Sequence, residues 1–235
     1  TAQLTALGAV PLQDPDLAAD ELRLVMEGGE LSGVEVAASV RGVYLGHERF
    51  EPFWAAAEAA GALVFIHPTT RGFDSPVFED FYLWNAVGNP FETTITAAHM
   101  TLAGVMERHH DLRVLLAHGG GALPALRGRL AHAHSFQAHA RARLEESPLE
   151  SIRRFLFDTV THDAQVLREL VAYVGPGRVV LGTDYPFDMG DFSPLSTLRS
   201  AGLRPEAEAA IRAGNATALL RQTEEEKREK VTHDP

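Results

Sequence analysis

Gly61-Ala62-Leu63-Val64-Phe65-Ile66-His67-Pro68 follows the alanine-rich stretch Phe53-Trp54-Ala55-Ala56-Ala57-Glu58-Ala59-Ala60. Together they read as helix, glycine, strand. Gly61 stands where a left-handed C-terminal cap turns the chain out of the helix. The run after it is apolar almost throughout, as in a parallel strand covered on both faces. A half-exposed antiparallel strand would alternate apolar with polar residues.

Outward from this segment the same unit recurs. Short apolar runs at Leu4 to Leu12, Val34 to Val40, Ala62 to His67, Arg113 to His118, Phe155 to Val160 and Arg178 to Asp184 read as strands. Helical patterns lie between and after them, at Asp16 to Glu27, Glu51 to Ala60, Pro90 to His109, Pro124 to Phe136, Asp163 to Val174 and Glu206 to Leu220. Asn89 is placed to cap the third helix, with Pro90 at its first position and Glu92 where a capping-box acceptor belongs. About six βα units result, two short of a closed TIM-like (β/α)8 barrel, the expected fold class. Residues 1–222 form the expected barrel domain, and Thr223 to Lys230 starts a solvated tail over 223–235 with no core face.

With 235 residues and 45% hydrophobic composition, the chain can bury the core of one large domain. A formal net charge of -11 and a sequence pI of about 5.4 argue against nucleic acid or an anionic membrane as partner, since either needs clustered Lys and Arg. An anionic substrate would therefore need a local Arg or a metal. The cysteine count of 0 leaves only His, Asp and Glu as metal ligands and permits a reducing, cytoplasmic setting. No apolar run reaches the roughly 18 residues of a membrane span.

In a parallel barrel the chemistry lies beyond the C-terminal ends of the strands. Three apolar runs end in reactive residues: Phe65-Ile66-His67-Pro68, Leu115-Leu116-Ala117-His118-Gly119-Gly120-Gly121 and Leu181-Gly182-Thr183-Asp184-Tyr185-Pro186-Phe187. A divalent ion needs imidazole or carboxylate ligands converging from rigid supports, and neighbouring strand ends supply that. One such His would read as a hydrogen-bonded structural residue; two His and an Asp at three ends read as a site. A His-Gly-Gly-Gly segment also builds oxyanion holes in α/β-hydrolases, but no Gly-x-Ser-x-Gly elbow accompanies it here. The glycines are expected to let backbone approach a ligand closely. His99, His109, His110, His132, His134 and His139 read as surface or packing residues. His162 and Asp158 flank a strand end, either lining the site mouth or serving a loop.

The chain resembles the decarboxylase branch of the amidohydrolase superfamily over about Leu7 to Leu220. Gly8-Ala9-Val10-Pro11-Leu12-Gln13-Asp14, Phe50-Glu51-Pro52-Phe53-Trp54-Ala55-Ala56-Ala57-Glu58, Ile66-His67-Pro68, Ala117-His118-Gly119-Gly120-Gly121, Phe157-Asp158-Thr159 with His162-Asp163, and Gly182-Thr183-Asp184-Tyr185-Pro186-Phe187 carry the likeness. The resemblance implies a zinc ion (Zn2+) held by His67 and Asp184, with His118 as catalytic acid/base beside Asp184. It implies Arg129 as a residue that reaches into the neighbouring subunit of a homodimer to hold the carboxylate of a small-molecule substrate. The implied reaction is non-oxidative decarboxylation of a small unsaturated or aromatic acid.

Two departures stand out. The family's first strand ends in His-x-His, whereas the only His-x-His here is His132-Ala133-His134, on an expected helix. By family length, on the order of a hundred residues are expected to precede this chain in its parent protein. Thr69 stands where the relatives that decarboxylate a semialdehyde have Trp, and Tyr82-Leu83-Trp84-Asn85 replaces their Leu-Pro-Trp pattern, which opens the choice of substrate. A hydrolase on the same fold and a truncated, metal-free barrel remnant are the competing readings.

Overall fold

The structure is a computed structural model, and it describes residues 4–71 and 73–220. Its strands are β1 (Ala6–Gly8), β2 (Leu31–Ala37), β3 (Ser39–Val40), β4 (Val43–Tyr44), β5 (Leu63–His67), β6 (Arg113–Leu116), β7 (Leu156–Asp158) and β8 (Val179–Val180). Six of them form one all-parallel sheet in the order β1-β2-β5-β6-β7-β8. Strand order follows chain order, so each crossover returns beside the strand just left, as in successive units of a (β/α)8 barrel. β3 and β4 form a small antiparallel hairpin. Its two-residue turn puts Arg41 and Gly42 at φ 52° and 77°, the combination that closes tight hairpins.

The helices are α1 (Pro15–Glu27), α2 (Glu51–Ala59), α3 (Asn89–Leu102), α4 (Val105–Arg108), α5 (Leu123–Phe136), α6 (Pro148–Arg154), α7 (Ala164–Val174), α8 (Pro194–Ser200) and α9 (Pro205–Ala209). Each long helix has a physical start and a buried stripe. Asp163 caps α7 by accepting from the Gln165 and Val166 amides at 2.7 and 2.9 Å, and the helix buries Leu167, Leu170, Val171 and Val174. Asp14 does the same for α1, which buries Ala18, Ala19, Leu22 and Met26. These stripes meet the sheet in a single core holding Phe50, Phe53, Trp54, Ile66, Leu116 and Phe157. Trp54 also donates from Nε1 to the Leu45 carbonyl at 2.9 Å, so its one polar atom is satisfied inside that core.

Several boundaries differ from the sequence-based expectation. The run expected as one strand over Val34 to Val40 ends at Ala37 and gives way to the β3–β4 hairpin. The expected helix over Pro90 to His109 is broken by Gly104, at φ 71°, into α3 and α4. Asn89 does not cap α3, because a π turn over Trp84–Gly88 leads straight into it. Glu92 turns inward instead of completing a capping box. It accepts from the Thr70 amide and hydroxyl at 3.2 and 2.8 Å and from Ser39 at 3.3 Å, which pins the loop after β5. Gly61 takes the expected left-handed conformation at φ 62°. The helix expected over Glu206 to Leu220 contains a π turn at Ala210–Gly214 and is helical again over residues 215–220. The tail expected over 223–235 lies outside the described residues. No helix among the described residues is long and apolar enough to cross a membrane.

Candidate metal centre

β5 ends on His67, β6 runs through Ala117 into His118, and β8 runs through Gly182 and Thr183 to Asp184. The sheet brings these three residues together. His67 Nε2 lies 3.1 Å from Asp184 Oδ1, and His118 Nε2 lies 3.6 Å from Asp184 Oδ2. The imidazole centroids are 5.2 Å apart, and one donor atom from each residue falls within 4.8 Å of the others. Among the described residues this is the one cluster of His and carboxylate groups arranged to hold a metal ion.

Hydrogen bonding sets the state of the donors. His67 Nδ1 is 3.1 Å from the Pro68 carbonyl, which can only accept, so Nδ1 carries the hydrogen. With Nδ1 so engaged, Nε2 presents a lone pair to a carboxylate oxygen unless a proton or a cation lies between them. That is the arrangement by which outer partners orient a ligating imidazole. Burial works to lower the His67 pKa, yet the Asp184 carboxylate outweighs it and holds the pKa above the ordinary value. Burial likewise opposes the charged form of Asp184, but the imidazoles of His118 and His67 hold its carboxyl well below the usual carboxylate range. His118 Nδ1 is buried with no hydrogen-bond partner among the described residues. Two imidazoles, a carboxylate held in its ionised form and an orphaned ring nitrogen make a donor set that fits a divalent metal ion.

The backbone around the site is strained. His118 and Asp184 hold φ of 57° and 56°, and His162 holds 54°, a left-handed region that costs non-glycine residues free energy. The glycines after His118 are also required by the packing of the protein itself. A Cβ on Gly120 would stand 2.7 Å from the Phe157 ring, and one on Gly121 only 2.0 Å from the Pro90 carbonyl oxygen. They make room for the protein's own ring and backbone, and Gly119 and Gly121 also line the cleft beside the cluster. Phe187 stacks on His67 at 5.6 Å and 14°, covering one face of that imidazole.

A cleft of about 750 Å³ opens beside the cluster, lined by His118, Asp184, Asn85, His162, Arg127 and Tyr173 among others. His162 thus lies at the mouth, while Asp158, which shares its strand end, is buried beneath it. Arg129 is exposed on α5 and outside this cleft; Arg127, one turn from the start of the same helix, lines it. Sequence reading passed over Arg127 because the periodicity of α5 does not say which face meets the cleft. The six histidines read as surface or packing residues, His99, His109, His110, His132, His134 and His139, stay out of the cluster. His132 and His134 lie on α5, and His109 is buried between Glu51 and Glu58.

Comparison with known proteins agrees with this geometry. A family model described as amidohydrolase matches residues 2–222. The chain is 34% identical over 196 residues to the 2-amino-3-carboxymuconate-6-semialdehyde decarboxylase of Dictyostelium discoideum, an alignment covering 83% of this chain and 54% of that protein. It is 32% identical over 144 residues to the 6-methylsalicylic acid decarboxylase of Penicillium expansum, covering 61% and 44% respectively. The crystal structure of 5-carboxyvanillate decarboxylase from Sphingomonas paucimobilis superposes with a TM-score of 0.82 at 29% identity, over 92% of this chain and 66% of that one. The chain spans about half the length of the curated relatives it matches. A match along almost the whole chain, on a sheet whose strand ends gather His67, His118 and Asp184, places it in the amidohydrolase family.

Proposed function

We propose that the protein is a metal-dependent carboxy-lyase that removes carbon dioxide, without oxidation, from a small unsaturated or aromatic carboxylic acid. The observation that carries this reading is the convergence of His67, His118 and Asp184 at neighbouring strand ends, with one buried nitrogen of His118 unpartnered among the described residues. The decarboxylase names of its relatives point the same way. Zinc is the metal favoured for His67 and Asp184, a thiolate-free pair of imidazole and carboxylate. A divalent ion held by these residues would supply a Lewis-acidic charge beside the substrate.

The chain's own residues supply the rest. As the bond between the substrate carbon and its carboxylate breaks, the electron pair stays on carbon and carbon dioxide leaves. His118, at the cleft wall, delivers the proton that this carbon takes up. His67 is kept in one tautomer by Pro68 and holds its ring in place under Phe187. Arg129 is exposed and suited to pair with a carboxylate bound by a second copy of the chain in a homodimer. Exposed Phe91 and Ile95 on α3, with Leu126 and Phe136 on α5, support an apolar surface for that second copy. The cytoplasm is the proposed site of action.

The test is anaerobic release of carbon dioxide from 6-methylsalicylate, 5-carboxyvanillate and 2-amino-3-carboxymuconate semialdehyde, with metal content measured on the same protein. His118→Ala is expected to lower turnover by about 10²- to 10⁴-fold with the metal still bound. Loss of the metal in that variant would make His118 a ligand instead. Addition of water to a substrate with no gas released would replace the lyase reading by a hydrolase one.

A further inference from the structure

Asp158, the last residue of β7, is a buried carboxylate that the proposed chemistry does not use. Every hydrogen bond it makes goes to main chain. Oδ2 accepts from the His118 amide at 3.0 Å; Oδ1 accepts from the Gly119 amide at 2.7 Å and the Val160 amide at 3.0 Å. The next residue, Thr159, is also buried, and its hydroxyl donates to the Gly182 carbonyl at 3.3 Å and accepts from the Gly182 amide at 3.1 Å. Gly182 lies two residues before Asp184. It packs so closely that a Cβ there would stand 2.9 Å from Asp158 Cβ. The end of β7 therefore grips the chain on both sides of it, immediately before the two groups whose spacing sets the site.

We infer that Asp158 and Thr159 are positioning residues that register His118 against Asp184. The inference rests on the metal-dependent reading above. His118 sits at a φ of 57°, which persists only where surrounding bonds over-determine it. Two adjacent amides bound to one carboxylate do that. A buried carboxylate is costly unless hydrogen bonds compensate it, and two of the three that Asp158 accepts come from the turn that aims His118, the third from the Val160 amide. Thr159 acts on the other partner by anchoring Gly182, because the β8 ladder has ended at Val180.

The test uses the full chain, with zinc added and carbon dioxide release as one readout. Asp158→Asn keeps the shape and exchanges one acceptor for a donor, so one of the two amides loses its partner. The expected result is a kcat lower by about 10-fold or more with KM within about twofold and zinc retained. The His118 ring ¹³C resonance is expected to move while that of His67 stays. Thr159→Val is expected to weaken zinc binding about 10-fold in competition with a chelator. Glu146→Gln, outside the cleft lining and bonded to Arg154 and Ser151, is the control for general destabilisation and should leave both readouts unchanged.

Unchanged kcat and an unmoved His118 resonance in Asp158→Asn would overturn the inference, as would an equal kcat loss in Glu146→Gln. Should Asp158→Asn fail to fold, Thr159→Val decides alone, and unaltered zinc affinity sinks the idea. If the wild type releases no carbon dioxide, the carboxy-lyase reading falls, while the ring resonance and zinc affinity still test the positioning.

Discussion

The two ends of the sheet use the same residue types to opposite effect. At the N-terminal end, His109 is buried with both ring nitrogens engaged, Nδ1 at 2.8 Å from Glu58 and Nε2 at 2.9 Å from Glu51. Arg108 meets Glu51 at 2.8 Å, and Arg154 meets Glu146 at 2.6 Å. At the C-terminal end, His118 keeps a buried nitrogen without a hydrogen-bond partner among the described residues, and His118 and Asp184 both hold left-handed backbone. A His-carboxylate cluster is therefore not in itself a sign of function. Unmet hydrogen-bonding capacity and stored strain separate the end that binds from the end that braces.

The hardest way to break the contrast is to disturb the turn that carries His118. Gly121→Ala places a methyl 2.0 Å from the Pro90 carbonyl oxygen at a φ of 62°, so backbone has to move. A loss of about 3 kcal/mol or more is expected from denaturant unfolding, and a variant as stable as the wild type would show that the turn yields easily.

Metal should act at one end only. With zinc at about 100 times its dissociation constant, a gain of about 2.7 kcal/mol is expected, read as a rise in Tm that a chelator reverses. Asp184→Asn should abolish that rise, and Glu51→Gln should leave it intact. A rise that survives Asp184→Asn would move the metal elsewhere.

The bracing end should instead answer to pH. Hydrogen bonds from Arg108 and Arg154 hold the Glu51 and Glu146 carboxyls below the ordinary glutamate value of 4.5, against burial that pushes the other way. Because the folded values lie below the unfolded ones, these pairs stabilise the protein above the unfolded value. That contribution is lost as pH falls through the folded values. Both sites are partly exposed, so about 1 kcal/mol or less is expected from each at pH 7. The double variant Glu51→Gln/Glu146→Gln should lose less stability than the wild type between pH 6 and pH 3, in about that amount. Parallel curves would remove these carboxylates from the bracing.

Much of this was readable in the residues because it depends on local pattern. Apolar runs that stop on a polar residue marked β5, β6 and β8 and so gave His67, His118 and Asp184. What was not readable depends on partners distant in the chain. Glu92 has the spacing of a capping box but is drawn away by Thr70, and Gly121 is a glycine because of Pro90. The run expected over Arg178 to Asp184 leaves the ladder at Val180, because the Leu181 amide turns to the Ile211 carbonyl and the Gly182 amide to the Thr159 hydroxyl. The choice between Arg127 and Arg129 turns on the orientation of α5, which its sequence does not encode alone.

The left-handed backbone at His118 and Asp184 also sets what the fold gives up for its site. Glycine is at ease in that conformation, and other residues give up about 1 to 2 kcal/mol there. Replacement of His118 by glycine would therefore relax the fold in the same step that ends its chemistry. Activity and backbone stability thus pull in opposite directions at these two positions.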